Sequence, residues 1–415
     1  MTLTAALLAV LATGACRSLS TRAPIAPLSF ADTDSVATSV VAPGVTHVQV
    51  IDGRGPWSIH VLEVEADRCT PLLEARKPGS DLHARATTSA IGGDALAAIN
   101  ADFFILPRGT PVGAHVTNGV VLTGPTDRPI VGVVDPTVSP GAPWQTGTGR
   151  MRGHARVRDD SAAITQVNRP ATPTSAYRGT TDGLTLYTAR IGDAVPADSA
   201  ARRVVLTMID GDEAAGRAVV VSADSPAVAT GMSAGTAVFL AHGSARDWAR
   251  RRSPGDTVAW RADVVVVPPE WSSAAPGEGR GAQTAAMAAP VREAVGGFPE
   301  LLRDGRPVLD QQRVVPAFGV NRHPRTAIGW SGADRLFLVV VDGRQPDASV
   351  GMSLDELTWV FQRLGATHAV NLDGGGSSAM VVQGRVVNSP SDREGERAVG
   401  NALVLAGCGA VGSRQ

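Results

Sequence analysis

Residues 336–341, Leu-Phe-Leu-Val-Val-Val, form an unbroken apolar run that ends at Asp342-Gly343-Arg344. A run with no polar alternation suits a strand covered on both faces, so the chain must build a layer on each side of it. Ser353 and Glu356 then form a capping box, with Leu357, Val360, Phe361 and Leu364 at helical spacing and Gly365 as a stop. Residues 369–372 read as a second strand, ending at Asp373. Strand, helix and strand in this order predict a βαβ unit with two parallel strands. Their carboxyl ends share one edge, where ligands of such sheets bind, and Asp342 and Asp373 stand there. If the strands are adjacent, at a spacing of about 4.8 Å, the carboxylates come within roughly 5–10 Å, the range of paired carboxylates on glycosides. Asp-Gly is also common turn chemistry, so each aspartate keeps a structural reading.

The rest of the chain reads as strands broken by Gly and Pro. Residues 45–64 alternate in strand fashion, 97–99 lead into Asn100-Ala101-Asp102-Phe103-Phe104, and 130–134 form a further strand. In the middle, residues 204–209, 218–221, 237–240 and 264–267 are the clearest strands, and 271–289 read as a loop. The expected fold class is α+β: a strand-rich mixed sheet core with a C-terminal βαβ unit and few helices. With 43% apolar and 19% charged residues, the chain can bury a large core. A formal net charge of −1 excludes a general nucleic-acid binder.

Residues 3–12 are apolar but too few to span a membrane, for which roughly 20 are needed. They lead to Thr13-Gly14-Ala15-Cys16, which resembles a bacterial lipobox. The expected organisation is a lipoprotein-type signal peptide at 1–16 with Cys16 lipidated, a tether at 17–45, one domain at 46–406, and a tail at 407–415. The protein is then exported to the cell envelope and held to the membrane by its N-terminal lipid alone. Cys69 and Cys408 either pair in an oxidising compartment or remain two buried thiols.

After Asp373 comes Gly374-Gly375-Gly376-Ser377-Ser378. Consecutive glycines allow close backbone approach and aim N–H groups at an anion, and the two hydroxyls add donors. No Walker or nucleophile-elbow pattern is present. Arg325 and Arg397 are each suited to gripping a phosphate through paired hydrogen bonds, or to a surface ion pair.

Four segments in order, His323-Pro-Arg-Thr-Ala-Ile-Gly, Val-Val-Asp-Gly-Arg, Gly-Met-Ser-Leu-Asp-Glu-Leu and Asn-Leu-Asp-Gly-Gly-Gly-Ser-Ser378, closely resemble the phosphodiester glycosidase family. Residues 99–104, Gly296-Gly297-Phe298-Pro299, Ser389, Asp392 and Glu396-Arg397 extend the resemblance, which is strong over 296–406 and weak over about 136–290. Asp102 stands where the family often has Gly. The resemblance implies hydrolysis of a sugar joined through its anomeric carbon to phosphate, in a glycan or sugar-phosphate substrate. Asp373 and Asp342 are then the candidate catalytic carboxylates. Arg325, Arg397 and Gly374, Gly375, Gly376, Ser377 and Ser378 would hold the phosphate. Asn100, Asn371, Asp102 and Glu396 complete the expected substrate site. No cofactor is expected; a divalent cation on Asp102, Asp342 and Asp373 is left open, without metal-specific spacing. Two other readings are a serine acyl hydrolase using Ser377 or Ser378 with His323 or His368, and a non-catalytic wall-glycan binding module.

Overall fold

The structure, a computed structural model, describes residues 35–135, 143–169, 179–192, 194–224, 230–267 and 288–409. The signal peptide, Cys16, most of the tether and most of the 271–289 loop lie outside the described residues.

The apolar run becomes the strand Arg335–Val341 in an eight-stranded sheet. The sheet's order is Ser35–Ala42, Val45–Asp52, Trp57–Glu65, Arg335–Val341, Arg325–Ser331, His368–Asn371, Glu300–Arg303 and Arg306–Pro307. Alternate residues of the run face opposite cores, as the period of two dictates. Leu336, Leu338 and Val340 meet a second sheet; Phe337, Val339 and Val341 pack under the helix Leu354–Arg363 with Leu357, Val360 and Phe361. The capping box on that helix forms, with Ser353 and Glu356 bonding each other's backbone N–H.

The expected βαβ unit is present with a correction. Arg335–Val341 and His368–Asn371 run in the same direction, but Arg325–Ser331 lies between them, antiparallel to both. It is a split unit, so two strand spacings, about 10 Å, separate the two strands. The run is buried on both faces although all its neighbours are antiparallel, because a helix covers one face and a sheet the other.

The second sheet has five strands: Arg385–Val386, Met380–Val382, Ala97–Asn100, Ala402–Gly409 and Thr70–Arg76. Its outer face packs on the short helix Thr88–Gly92 through Ile91, Ala98, Val381 and Val404. The order of layers is therefore helix, sheet, sheet, helix. Cys69 and Cys408 form a disulfide that staples the start of this sheet to its last strand. Two boundaries move. Residues 35–42 pair with 45–52 as an edge strand and belong to the domain, not the tether. The final strand runs to Gly409, beyond the expected start of the tail.

The middle of the chain forms a third body. Strands Asp160–Val167, Gly183–Thr188, Thr236–His242, Arg202–Gly211, Ala215–Asp224, Thr257–Val267 and Trp144–Val157 pair in sequence, and the last pairs back to the first. This closed ring surrounds Phe239, Trp248 and Trp260 and leaves no unpaired edge within the ring. Strands Pro129–Val134 and Val291–Gly296 join it to the layered body. Their alternate residues divide between the two cores: Ile130 and Ala294 toward the barrel, Val131 and Val295 toward the sheets.

Candidate active site

Asp102 and Asp373 leave two different sheets and meet at one place. Asp102 lies just past the strand Ala97–Asn100, and Asp373 just past His368–Asn371. The Asp373 N–H donates to the Ala101 carbonyl at 2.8 Å, which locks the two strand exits together. Asn100 completes the lock. Its Nδ2 donates to the Asp373 carbonyl at 2.7 Å, and its Oδ1 accepts from Thr326 Oγ1 at 2.7 Å and from the Ala379 N–H at 3.1 Å. Asn100 is fully buried and its oxygen is doubly occupied, so it positions Asp373 and does not orient a sugar hydroxyl.

Both carboxylates resist ionisation. Asp102 is 1% exposed, and its Oδ2 accepts from the Gly113 N–H at 2.6 Å while its Oδ1 has no hydrogen-bond partner. Burial pushes its pKa up to about 7; the Gly113 N–H, Arg128 and Arg169 oppose this, and the charge of Asp373 adds to it. Asp373 is pushed up to about 6, again by burial first, opposed by Ser377, the Gly374 N–H, Arg397 and Arg128. The Ser377 hydroxyl leans toward this carboxylate without closing a well-shaped hydrogen bond. Both carboxyls therefore hold their protons closer to neutral pH than an ordinary aspartate does.

Cations surround the pair. Arg128 stands between the rings of Phe103 and Phe298, at 5.1 and 5.2 Å from their centroids, and feels both aspartates. Phe103 in turn meets Phe318 edge-on at 6.1 Å. Arg344, exposed and at φ 61, lays its guanidinium on Gly375, where a Cβ would come within 2.9 Å of Nη2. Neither arginine was singled out as a site residue from sequence, although Arg344 sits in the quoted Asp-Gly-Arg segment. Arg128 carries no local motif; only the fold sets it between two rings.

The Gly-rich turn differs from an anion cradle. The N–H of Gly374 bonds Asp373 Oδ1, that of Gly375 the Pro324 carbonyl, that of Ser377 the Gly374 carbonyl, and that of Ser378 the Gly375 carbonyl. Gly376 therefore carries the turn's remaining backbone donor, and the buried Ser377 and Ser378 hydroxyls, both unpartnered, are the side-chain donors. The glycines make room for protein, not only for ligand. A side chain on Gly374 would strike the Pro324 carbonyl at 2.7 Å, and one on Gly376 would strike Arg397 and Asp392.

Other expected site residues are taken up elsewhere. Asp342 is 4% exposed; its Oδ1 accepts from the Ser389 N–H at 2.8 Å and Asn388 Nδ2 at 3.0 Å, and its Oδ2 faces His60 Nε2 at 3.3 Å. It anchors the 388–389 loop and does not pair with Asp373. Arg325 is 1% exposed and donates to the carbonyls of Met352, Phe318 and Asn321 at 2.9, 2.9 and 3.0 Å, which makes it a brace in the wall. Arg397 pairs with Asp392 through two bonds of 2.8 and 3.0 Å, leaving a partly exposed guanidinium over Gly376. Glu396 bonds Ser89 at the start of the helix Thr88–Gly92, away from the turn. Asn371 Nδ2 donates to the carbonyls of Phe298 and Leu372, so this buried residue places the Phe298 ring on Arg128; its Oδ1 has no partner.

His368 stacks on Trp330 at the far end of its strand from the turn, and neither serine hydroxyl meets a histidine. The serine-hydrolase constellation is not assembled. Among the described residues, no three His, Cys, Asp or Glu side chains group as metal ligands.

The chain is 36% identical over 105 residues to an SPbeta prophage-derived uncharacterized protein of Bacillus subtilis (strain 168), a stretch covering 25% of this chain and 16% of that protein. A crystal structure of a Burkholderia pseudomallei protein, named as a candidate exported protein, aligns with 89% of this chain and 96% of its own at a TM-score of 0.63 and 24% identity. A hypothetical protein from Synechocystis aligns with 90% of this chain at a TM-score of 0.64 and 20% identity, and 64% of that chain is covered. These two likenesses show a shared fold. The family model for phosphodiester glycosidase matches residues 215–406, a span holding Arg344, Asp373, the Gly-rich turn and Arg397. Over that span the chain is similar to the phosphodiester glycosidase family.

Proposed function

We propose that the protein hydrolyses a glycosyl phosphodiester by water attack at the anomeric carbon, with Asp373 as the base. The observation that carries this reading is the Asp102–Asp373 pair, the first buried and the second partly exposed, beside an arginine that lies over two aromatic rings. Asp373, partly exposed at the turn, takes a proton from water as the oxygen bonds to carbon. The bond between the anomeric carbon and the phosphate oxygen breaks, and its electron pair leaves with the phosphomonoester. A phosphate is a weak base and needs little help to leave; it needs a cation to receive its charge. Arg128, Arg344 and the Ser377 and Ser378 hydroxyls face that task. Asp102, the less acidic and more buried partner, holds its proton and offers a hydrogen bond. The aromatic rings of Phe103 and Phe298 hold the flat Arg128 guanidinium in place.

The same reading places the protein outside the cytoplasm, tethered through Cys16. The Cys69–Cys408 disulfide suits an oxidising compartment, and the short apolar leader suits export. No helix among the described residues is long and apolar enough to cross a membrane.

The test is hydrolysis of a panel of glycosyl phosphodiesters in heavy-oxygen water. The label is expected on the anomeric hydroxyl of the freed sugar and absent from the phosphomonoester. Label in the phosphate would mean attack at phosphorus and would overturn the assignment. Binding of the panel without turnover would instead indicate a glycan-binding module.

A further inference from the structure

The chain has a single lysine among its 38 basic residues, and the fold sets it behind the acid pair. Lys77 follows the strand Thr70–Arg76, whose last residue pairs with Ala402. Its ammonium donates to the Gly400 carbonyl at 2.8 Å. The next residue, Asn401, is buried and accepts the Asp102 N–H on Oδ1 at 2.9 Å. Asn401 Nδ2 meets Nδ1 of the buried His115 at 3.1 Å. Lys77, Gly400, Asn401 and Asp102 thus form one connected support, ending at the carboxyl whose Oδ1 lacks a partner.

We propose that Lys77 is a positioning residue for Asp102: its ammonium pins the segment that holds Asp102 and places a positive charge behind the acid pair. This rests on the reading of Asp102 and Asp373 as the working carboxyls. Every other residue of that basic count is an arginine. A guanidinium is planar and permanently charged, whereas an ammonium is compact and can lose its proton when buried. The charged and titratable groups about Asp102 are Lys77, Arg128, Arg169, Asp373 and, beside Lys77, His115. Burial drives His115 down to about 3, with Lys77 adding to the effect, so His115 stays neutral. Burial brings Lys77 down to about 8, and the charge of Asp102 holds it up. Of the cations facing Asp102, Lys77 is the one that titrates close to the carboxyl's own range.

A single lysine makes the test direct. Reductive methylation with carbon-13 formaldehyde places one side-chain probe on Lys77, with the N-terminal amine as the other signal. In the whole folded protein, the Lys77 resonance is expected to titrate near 8, well below the roughly 10.4 of a free lysine. Asp102→Asn should lower that midpoint by about half a unit or more, because a favourable charge is lost. A Lys77 midpoint at the ordinary value, or one unmoved by Asp102→Asn, would overturn the proposal, and neither result depends on any substrate. Where turnover is measured, Lys77→Met should move the alkaline limb of the pH–rate profile up by about half a unit or more, and Lys77→Arg should restore it. A merely structural lysine would change melting temperature without moving that limb. Absence of turnover in the unmodified protein would count against the proposed function, while the resonance titration still decides this point.

Discussion

Asp342 and Asp373 end two strands that run the same way in one sheet, yet their surroundings are opposite. Around Asp342, a backbone N–H, an amide and an imidazole meet the carboxylate, and the loop it anchors is closed. Around Asp373 and Asp102, polar atoms are left over: Asp102 Oδ1, Asn371 Oδ1 and the Ser377 and Ser378 hydroxyls are buried without partners. Orphaned buried polar groups are costly, so a fold keeps them together only where something else supplies the missing bonds. The contrast separates a carboxylate that holds the structure from carboxylates held ready by it.

The largest effect that would sharpen this contrast is Asp373→Asn. Turnover should fall by about 10³-fold or more, as for loss of a general base, with the melting temperature nearly unchanged. Retained turnover would place the chemistry elsewhere. Asp342→Ala should do the reverse. Removing it strands the Ser389 N–H, Asn388 and His60, so urea unfolding should show a loss of about 3 kcal/mol, with turnover per folded molecule reduced far less than in Asp373→Asn. A third comparison sets two arginines against each other. Arg128→Lys should lower kcat/KM by about 2 kcal/mol, or roughly 30-fold, since a point charge neither lies flat between two rings nor forks onto phosphate. Arg325→Lys should lower stability and leave kcat/KM close to that of the parent, because its bonds go to backbone carbonyls.

The smallest effect concerns pH. The proposed mechanism uses Asp373 ionised and Asp102 protonated, so the rate should rise through about 6 and fall through about 7. Stability follows the same groups with a definite sign. The folded pKa of Asp102 lies above its unfolded value, so its contribution is full near pH 4 and lost as pH rises through about 7. Asp102→Asn keeps the uncharged form at every pH. It should therefore stabilise the protein at pH 8 by roughly 1–3 kcal/mol and have little effect at pH 4. An equal change at both pH values would show that burial of the Asp102 charge is not what the substitution relieves.

Much of the scaffold is legible along the chain because it rests on local periodicity. The run at 336–341, the capped helix after it and the middle strands are set by side-chain alternation and capping, which neighbours in sequence determine. Asp373 and the turn after it are legible for the same reason: a strand end followed by glycines marks an edge. What the glycines pack against is not legible locally. Their backbone approaches Pro324, Arg344 and Arg397, and each of those comes from another strand or loop.

The sequence by itself determined that a strand buried on both faces would end at an aspartate beside a Gly-rich turn, and that cationic side chains would be near. Tertiary structure alone decided which carboxyl partners which. The intervening strand Arg325–Ser331 moves Asp342 away, and the second sheet brings Asp102 in through the bond from Asp373 to Ala101. Closure of the barrel and the sandwiching of Arg128 are decided at the same level. The physical reason is that desolvation, charge coupling and hydrogen-bond completion depend on what surrounds a group in space. Asp342 and Asp373 carry the same side chain at the same kind of strand end, and their different roles come from the atoms the fold packs around them.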